Sequence, residues 1–211
     1  MIHVLFFLFA FLLSTTSHHH VVAIDFCVAD LKGAETPSGY PCKPLSKVTI
    51  DDFVFSKFPK PTKNFFNFSA VVASVDQFPA LNGLGFSIVL VEIEAGASVP
   101  LHTHPDATEV IIAGNDNIIA GFISSADNKV FVKTLSKGNI MVLPQGLLHF
   151  VMNNGKEKAS LTVIFTSVRA SVQTVAVALF ASNFDSNLIS KTTFLDHAEI
   201  KKLKGIFNGS G

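Results

Sequence analysis

From residue 85 onward, short apolar runs alternate with turn-forming clusters, and this rhythm predicts an antiparallel β fold. Phe86 to Glu94 is rich in Ile and Val and closes at Gly96. The runs Glu109 to Ala113 and Ile118 to Ile123 flank Gly114-Asn115-Asp116-Asn117, which reads as a hairpin turn. Val130 to Leu135 stops at Lys137-Gly138, and Ile140 to Leu143 runs into Pro144-Gln145-Gly146. Extended chain resumes from His149 to Met152, before Asn153-Asn154-Gly155. Ala159 to Val168 and Val172 to Leu179 complete the predicted strands. Strands this short and turns this frequent suggest a sandwich or barrel rather than βαβ units.

The two ends read differently. Between Cys27 and about Asn64, Pro37, Pro41, Pro44, Pro59 and Pro61 break any long periodicity, which predicts an extended arm with short strands. At the other end, Asp196 and Glu199 have capping-box spacing, and Ile200, Leu203 and Phe207 recur at helical intervals. Lys201, Lys202 and Lys204 fall on the other side of that helix, and Ser186 to Thr192 suits a second one. The resulting division is an arm over 24–84, a barrel over 85–183 and a helical tail over 184–211. No internal repeat or interdomain linker interrupts it, and 211 residues suffice for one well-filled domain.

Composition changes this picture mainly at the amino terminus. The chain is 48% hydrophobic and 15% charged, and part of the excess comes from the apolar run Val4 to Leu13. That run falls short of the roughly 20 residues a membrane span needs, but suits a signal-peptide core. Small residues at Val21-Val22-Ala23 place cleavage near Ala23, giving a 1–23 signal peptide, with a signal anchor as the alternative. The expected mature protein is exported and free of the membrane. Its 16 basic and 16 acidic side chains balance, so no global field recruits nucleic acid. Cys27 and Cys42 are the only cysteines, and in an oxidising compartment a disulfide is expected, free buried thiols being the alternative. Asn67-Phe68-Ser69 and Asn208-Gly209-Ser210 are sequons that export makes usable at Asn67 and Asn208, although such tripeptides also arise by chance.

The candidate chemistry lies between Gly96 and Asn153. His102 and His104 are two apart, so on a strand both rings face one way. Glu109 follows past Pro105, and His149 comes just after a Pro-x-Gly turn. Three imidazoles and a carboxylate converging in a barrel can bind a divalent first-row metal. A His-x-His pair on a strand also occurs without metal. Histidine distribution favours the metal: of eight histidines, His3 and His18 to His20 fall in the leader, and of the rest only His197 lies outside this set. His197, in the first turn of the last helix, reads as a surface residue.

Two spaced motifs carry a family resemblance. Gly96-(five residues)-His102-Thr103-His104-(four residues)-Glu109 resembles the first motif of germins and germin-like proteins. Gly138-(five residues)-Pro144-Gln145-Gly146-(two residues)-His149-(three residues)-Asn153 resembles the second. Asp25 to Leu31 and Tyr40-Pro41-Cys42-Lys43 are similar to the start of a mature germin-like chain. Gln77 to Gly85, Pro144 to Phe150 and Thr192 to Gly205 look closest to the auxin-binding, peach-type branch. The chain also departs from the pattern: Asp116 and Asp106 stand where relatives usually carry glycine, and Phe58 to Ser74 and Thr166 to Gln173 differ, the latter lacking a Pro-Gly turn.

The resemblance implies an all-β fold, a cupin jelly-roll (double-stranded β-helix) barrel with short C-terminal α-helices. It implies Mn2+ held by His102, His104, Glu109 and His149, a homo-oligomer built as a trimer of dimers, and an extracellular, apoplastic location with a role in defence or the cell wall. By the usual affinity order Cu, Ni and Zn would outcompete Mn at such a site, so manganese comes from the family and not from the ligands. Superoxide dismutase activity is the first functional expectation. Oxalate oxidase activity is not expected, because the positions thirteen and three before His102, where true germins carry asparagine, are Val89 and Val99. The alternative is a non-catalytic auxin-binding, receptor-like or storage module. Nucleotide-sugar pyrophosphatase activity, also known in the family, finds no phosphate-cradling loop or Arg cluster here.

Overall fold

The structure, a computed structural model, describes residues 25–56, 62 and 64–211; the expected leader lies outside them. Two five-stranded antiparallel sheets pack face to face. One has the order β1 (Phe68–Ala73), β2 (Ser87–Ile93), β9 (Ala159–Phe165), β4 (Glu109–Ala113) and β7 (Ile140–Leu143). The other runs β10 (Gln173–Thr174), β3 (Ser98–Thr103), β8 (His149–Asn153), β5 (Ile118–Ile123) and β6 (Val130–Leu135). Consecutive strands repeatedly cross between sheets, so residues distant in sequence become neighbours inside.

Period-two burial builds the core. Val89, Val91 and Ile93 of β2, Ile111 and Ala113 of β4, and Leu161, Val163 and Phe165 of β9 point inward and form one buried cluster with Val151 of β8. The sheet starts earlier than the turn rhythm indicated. Phe68–Ala73, read from sequence as part of the arm, pairs along its length with β2. The arm upstream contains 3₁₀ turns at Leu45–Lys47 and Ile50–Phe53 and isolated bridges, but no strand among its described residues. Cys27 and Cys42 are bonded, and the Ala29 N–H donates to the Pro79 carbonyl, which docks the arm on the barrel. Asn82 secures the same joint, accepting from the Tyr40 N–H at 3.0 Å and donating to the Tyr40 carbonyl at 2.9 Å.

The tail corrects one element. Val172 to Leu179 was expected to be a strand, but only Gln173–Thr174 pairs, with β3, before helix α1 (Val175–Phe180) begins. Helices α2 (Ser186–Thr193) and α3 (His197–Phe207) follow as expected. Asp185 caps α2, accepting from the Asn187 and Leu188 N–H groups, and Asp196 caps α3, accepting from the Glu199 N–H. Phe180, Ile189 and Ile200 make a small separate core for the three helices. Lys204, assigned to the solvated face, is instead 5% exposed, its ammonium donating to the carbonyls of Phe184, Ser210 and Gly211. Among the described residues no helix is long and apolar enough to cross a membrane.

Candidate metal centre

The register of the sheets assembles the site. His102 on β3 lies directly opposite His149 on β8, beside an irregularity in the β3 pairing between Val99 and His102. Glu109 opens β4, opposite both Leu143 of β7 and Phe165 of β9. His104 sits one residue past the end of β3. All four are buried, at 4%, 5%, 4% and 1% exposure for His102, His104, Glu109 and His149. One ligand atom from each lies within 4.8 Å of all the others. The Glu109 Oε2 is 3.0 Å from His149 Nε2, 3.1 Å from His104 Nε2 and 3.8 Å from His102 Nε2.

The second motif clamps the first. The Gly146 N–H donates to the His104 carbonyl at 3.0 Å, and the Gln145 amide donates to the Pro105 carbonyl at 2.8 Å. Pro144-Gln145-Gly146 thus fixes the loop between His104 and Glu109 rather than contributing a ligand. Asn153, 1% exposed, closes the motif as a hub: its amide donates to the carbonyls of Ile93, Glu94 and Glu157 and accepts from the Gly155 N–H. The motif glycines Gly96, Gly138 and Gly146 have φ of +72°, +84° and +76°, with nothing within 4 Å of a hypothetical Cβ, so conformation and not space requires glycine. The departure at Asp116 is absorbed locally. Asn117 takes the left-handed conformation (φ 63°), and Asp116 accepts from the Lys137 N–H at 2.9 Å.

Each histidine has its far nitrogen committed. Nδ1 of His102 lies 2.7 Å from the Pro100 carbonyl, Nδ1 of His149 lies 2.8 Å from the Leu147 carbonyl, and Nδ1 of His104 lies 2.5 Å from the Ser171 carbonyl. A carbonyl only accepts, so each Nδ1 carries the proton, and the neutral ring aims the Nε2 lone pair at the centre. Three lone pairs and a carboxylate meeting this closely repel one another unless protons or a cation intervene. Burial, the nearby His149 and, to a lesser degree, His104 push the His102 pKa down to about 4 against the attraction of Glu109 and the Pro100 carbonyl, so this ring resists the proton. Burial alone would raise the Glu109 pKa, but without a cation it is the protons shared with Nε2 of His104 and His149 that relieve this repulsion, and those hydrogen bonds hold Glu109 down to about 2. The donor set fits a divalent metal cation, which would be held by Nε2 of His102, His104 and His149 and a carboxylate oxygen of Glu109.

A cavity of about 510 Å³ opens on this cluster. Its walls are mostly apolar, with Val89, Val91, Val99, Val163 and Phe165 among the lining residues. The polar groups along it are largely occupied: the Ser74 hydroxyl donates to Gln77, the Ser87 hydroxyl to the Ser167 carbonyl, and Arg169 pairs with Asp76 and Glu35. Two participants were not identified from sequence. Phe165, whose ring lies 4.5 Å from that of His104, was signalled only by alternation along β9. Ser171 acts through a backbone carbonyl, for which side-chain identity gives no signal. His197 is exposed and apart, as expected.

Fold and site together define a cupin domain: the cupin family profile matches residues 57–201. More narrowly, the chain belongs to the germin-like family. It is 48% identical over 189 residues to germin-like protein subfamily 3 member 1 of Arabidopsis thaliana, covering 89% of this chain and 90% of that protein. It is 45% identical over 212 residues to the auxin-binding protein ABP19a of Prunus persica, covering 100% of each. A solved structure of recombinant oxalate oxidase in complex with glycolate superposes with a TM-score of 0.79 at 30% identity, covering 88% of this chain and 96% of that one.

Proposed function

We propose that the protein is an exported metal-binding germin-like protein that holds one divalent ion, manganese, through His102, His104, Glu109 and His149, and that it dismutates superoxide. The observation that carries the reading is the convergence of three buried, Nδ1-anchored imidazoles and one buried carboxylate within 4.8 Å. When bound, manganese supplies one-electron redox chemistry. The protein's own part is to hold the ligands rigid and to exclude bulk water with the valine and phenylalanine walls. Elemental analysis of native protein, with a superoxide assay on wild type and His102→Ala, tests it. The expected result is about one manganese per chain and activity lost in the variant; metal-free native protein would refute it.

A second reading is supported by the cavity itself. Its apolar walls next to a cation site suit a small carboxylate with an aromatic body, consistent with the name of the peach relative. Calorimetric titration with indole-3-acetate separates the two: binding without dismutase activity favours the non-catalytic module.

Export and assembly belong to the same proposal. The Cys27–Cys42 disulfide supports an oxidising compartment. Asn67 and Asn208 are both exposed, as glycosylation there would require. Self-association is supported by apolar edge strands, Val130, Phe131 and Val132 of β6 and Ile140 and Val142 of β7 being exposed; the trimer-of-dimers form is proposed from the family resemblance. The disulfide also leaves no free cysteine for thiol chemistry.

A further inference from the structure

The three imidazoles are not held alike. His102 and His149 bond carbonyls two residues before themselves, so their ring orientation is set within their own strand entries. His104 bonds the Ser171 carbonyl, 67 residues away, in the loop between β9 and β10. That loop has its own anchor. The Asp106 carboxylate accepts from the Ser171 N–H at 2.8 Å and from the Ser167 hydroxyl at 3.2 Å. The Ser167 hydroxyl in turn accepts from the Arg169 N–H. Asp106 and the 166–173 segment both leave the family pattern, and they bond each other.

We infer that Asp106 is a positioning residue for His104, fixing the 167–171 loop so that the Ser171 carbonyl orients the ring and keeps its Nε2 aimed at the metal. The contact geometry makes this direct: only the Ser171 Cα separates the group Asp106 holds, the Ser171 N–H, from the group that holds His104, the Ser171 carbonyl. Asp106 is exposed, and its side chain bonds Ser167 and Ser171, so its hold on His104 runs through that loop. This inference rests on the metal-site reading above.

The test uses full-length mature protein, Mn2+ titration and the visible spectrum of the Co2+-loaded form. Asp106→Ala leaves the Ser171 carbonyl in place but frees its loop, so it should weaken Mn2+ binding up to about tenfold, the lower end of the range for loss of an outer partner of a ligating histidine, and should alter the Co2+ spectrum. Asp106→Asn, produced without glycosylation because the change creates an Asn-Ala-Thr sequon, still offers an oxygen to the Ser171 N–H and should restore both to near wild type. In metal-free protein the His104 Nδ1–H resonance should shift in Asp106→Ala but not in Asp52→Asn, whose losses, the Lys43 ion pair and part of the Thr49 cap, are confined to the arm. Unchanged Mn2+ affinity and an unchanged Co2+ spectrum in Asp106→Ala overturn the inference and leave the metal site standing. Failure of the wild type to bind either metal overturns the metal site, and this inference with it.

Discussion

His102 and His149 face one another as register partners on adjacent antiparallel strands, their ring centroids 4.1 Å apart. Strand pairing, not a loop, therefore brings two of the four site residues together, and the position of one cannot change without the other. Glu109 reaches them from the opposite sheet, so the site bridges both layers of the fold.

The Asn153 amide spans the turn that follows this pairing. Replacing it with Ala removes its bonds to the carbonyls of Ile93, Glu94 and Glu157 and from the Gly155 N–H, in a largely buried setting where the Glu94 carbonyl keeps the Ala97 N–H. The expected loss is about 3 kcal/mol, read as a lower urea midpoint with an unchanged slope. A loss within measurement error would mean water replaces the amide freely.

Legibility in the sequence followed how local each feature is. Strands β4, β5, β6 and β7 were read at the bounds observed, because apolar runs and turn residues mark them without help from the rest of the fold. The hairpin expected of β4 and β5 is not formed: the Gly114–Asn117 turn carries the chain from one sheet to the other, where β4 pairs with β7 and β9 and β5 with β6 and β8, a choice of partner that local turn chemistry does not encode. The four site residues were read from residue type and spacing together with the resemblance of the two motifs to germin-like proteins. Strand β1 was missed because it follows a proline-rich stretch and gains its partner from β2. Val175–Phe180 was misread since an unbroken apolar run suits a buried strand or a buried helix equally, and tertiary packing on α3 decides. Lys204 escaped because its carbonyl partners, Phe184 between α1 and α2 and Ser210 and Gly211 after α3, are brought together only by the folded tail.

Reduction should release the arm more than the barrel. The disulfide closes a loop of 15 residues, worth about 3 kcal/mol on the chain-entropy estimate. Cys42→Ser is expected to lower the melting temperature and to expose the Ala29 amide to hydrogen exchange, while the β3–β8 amides stay protected. Equal loss of protection in both regions would contradict independent docking of the arm.

Acidification should destabilise the metal-free protein in two stages. The His102 pKa lies at about 4 in the fold against 6.5 ordinarily, so the unfolded chain takes up its proton first and stability falls as pH drops from 6.5 towards 4. The Glu109 pKa is held at about 2 against 4.5, so its contribution, complete above 4.5, is lost between 4.5 and 2. Urea melts across this range should show a continuous decline, and His102→Gln should flatten its upper part. Constant stability between pH 6.5 and 4 would show that the ring takes up its proton without cost.

Oxalate should not be turned over. Val89 and Val99 line the cavity beside His102, and neither offers a hydrogen bond to a carboxylate. Each absent bond costs a buried anion about 1 to 3 kcal/mol. Peroxide release from oxalate by manganese-loaded protein should stay at background, and Val99→Asn should be the single change most able to raise it. Robust wild-type turnover would show that the apolar walls do not exclude this substrate.

Anomalous X-ray scattering at the manganese edge, from crystals of native protein, bears most directly on the central assignment. One strong peak should appear per chain, with Nε2 of His102, His104 and His149 and a Glu109 oxygen as its nearest protein atoms. A map with no peak among those four side chains, or with its only peak elsewhere on the chain, would contradict it.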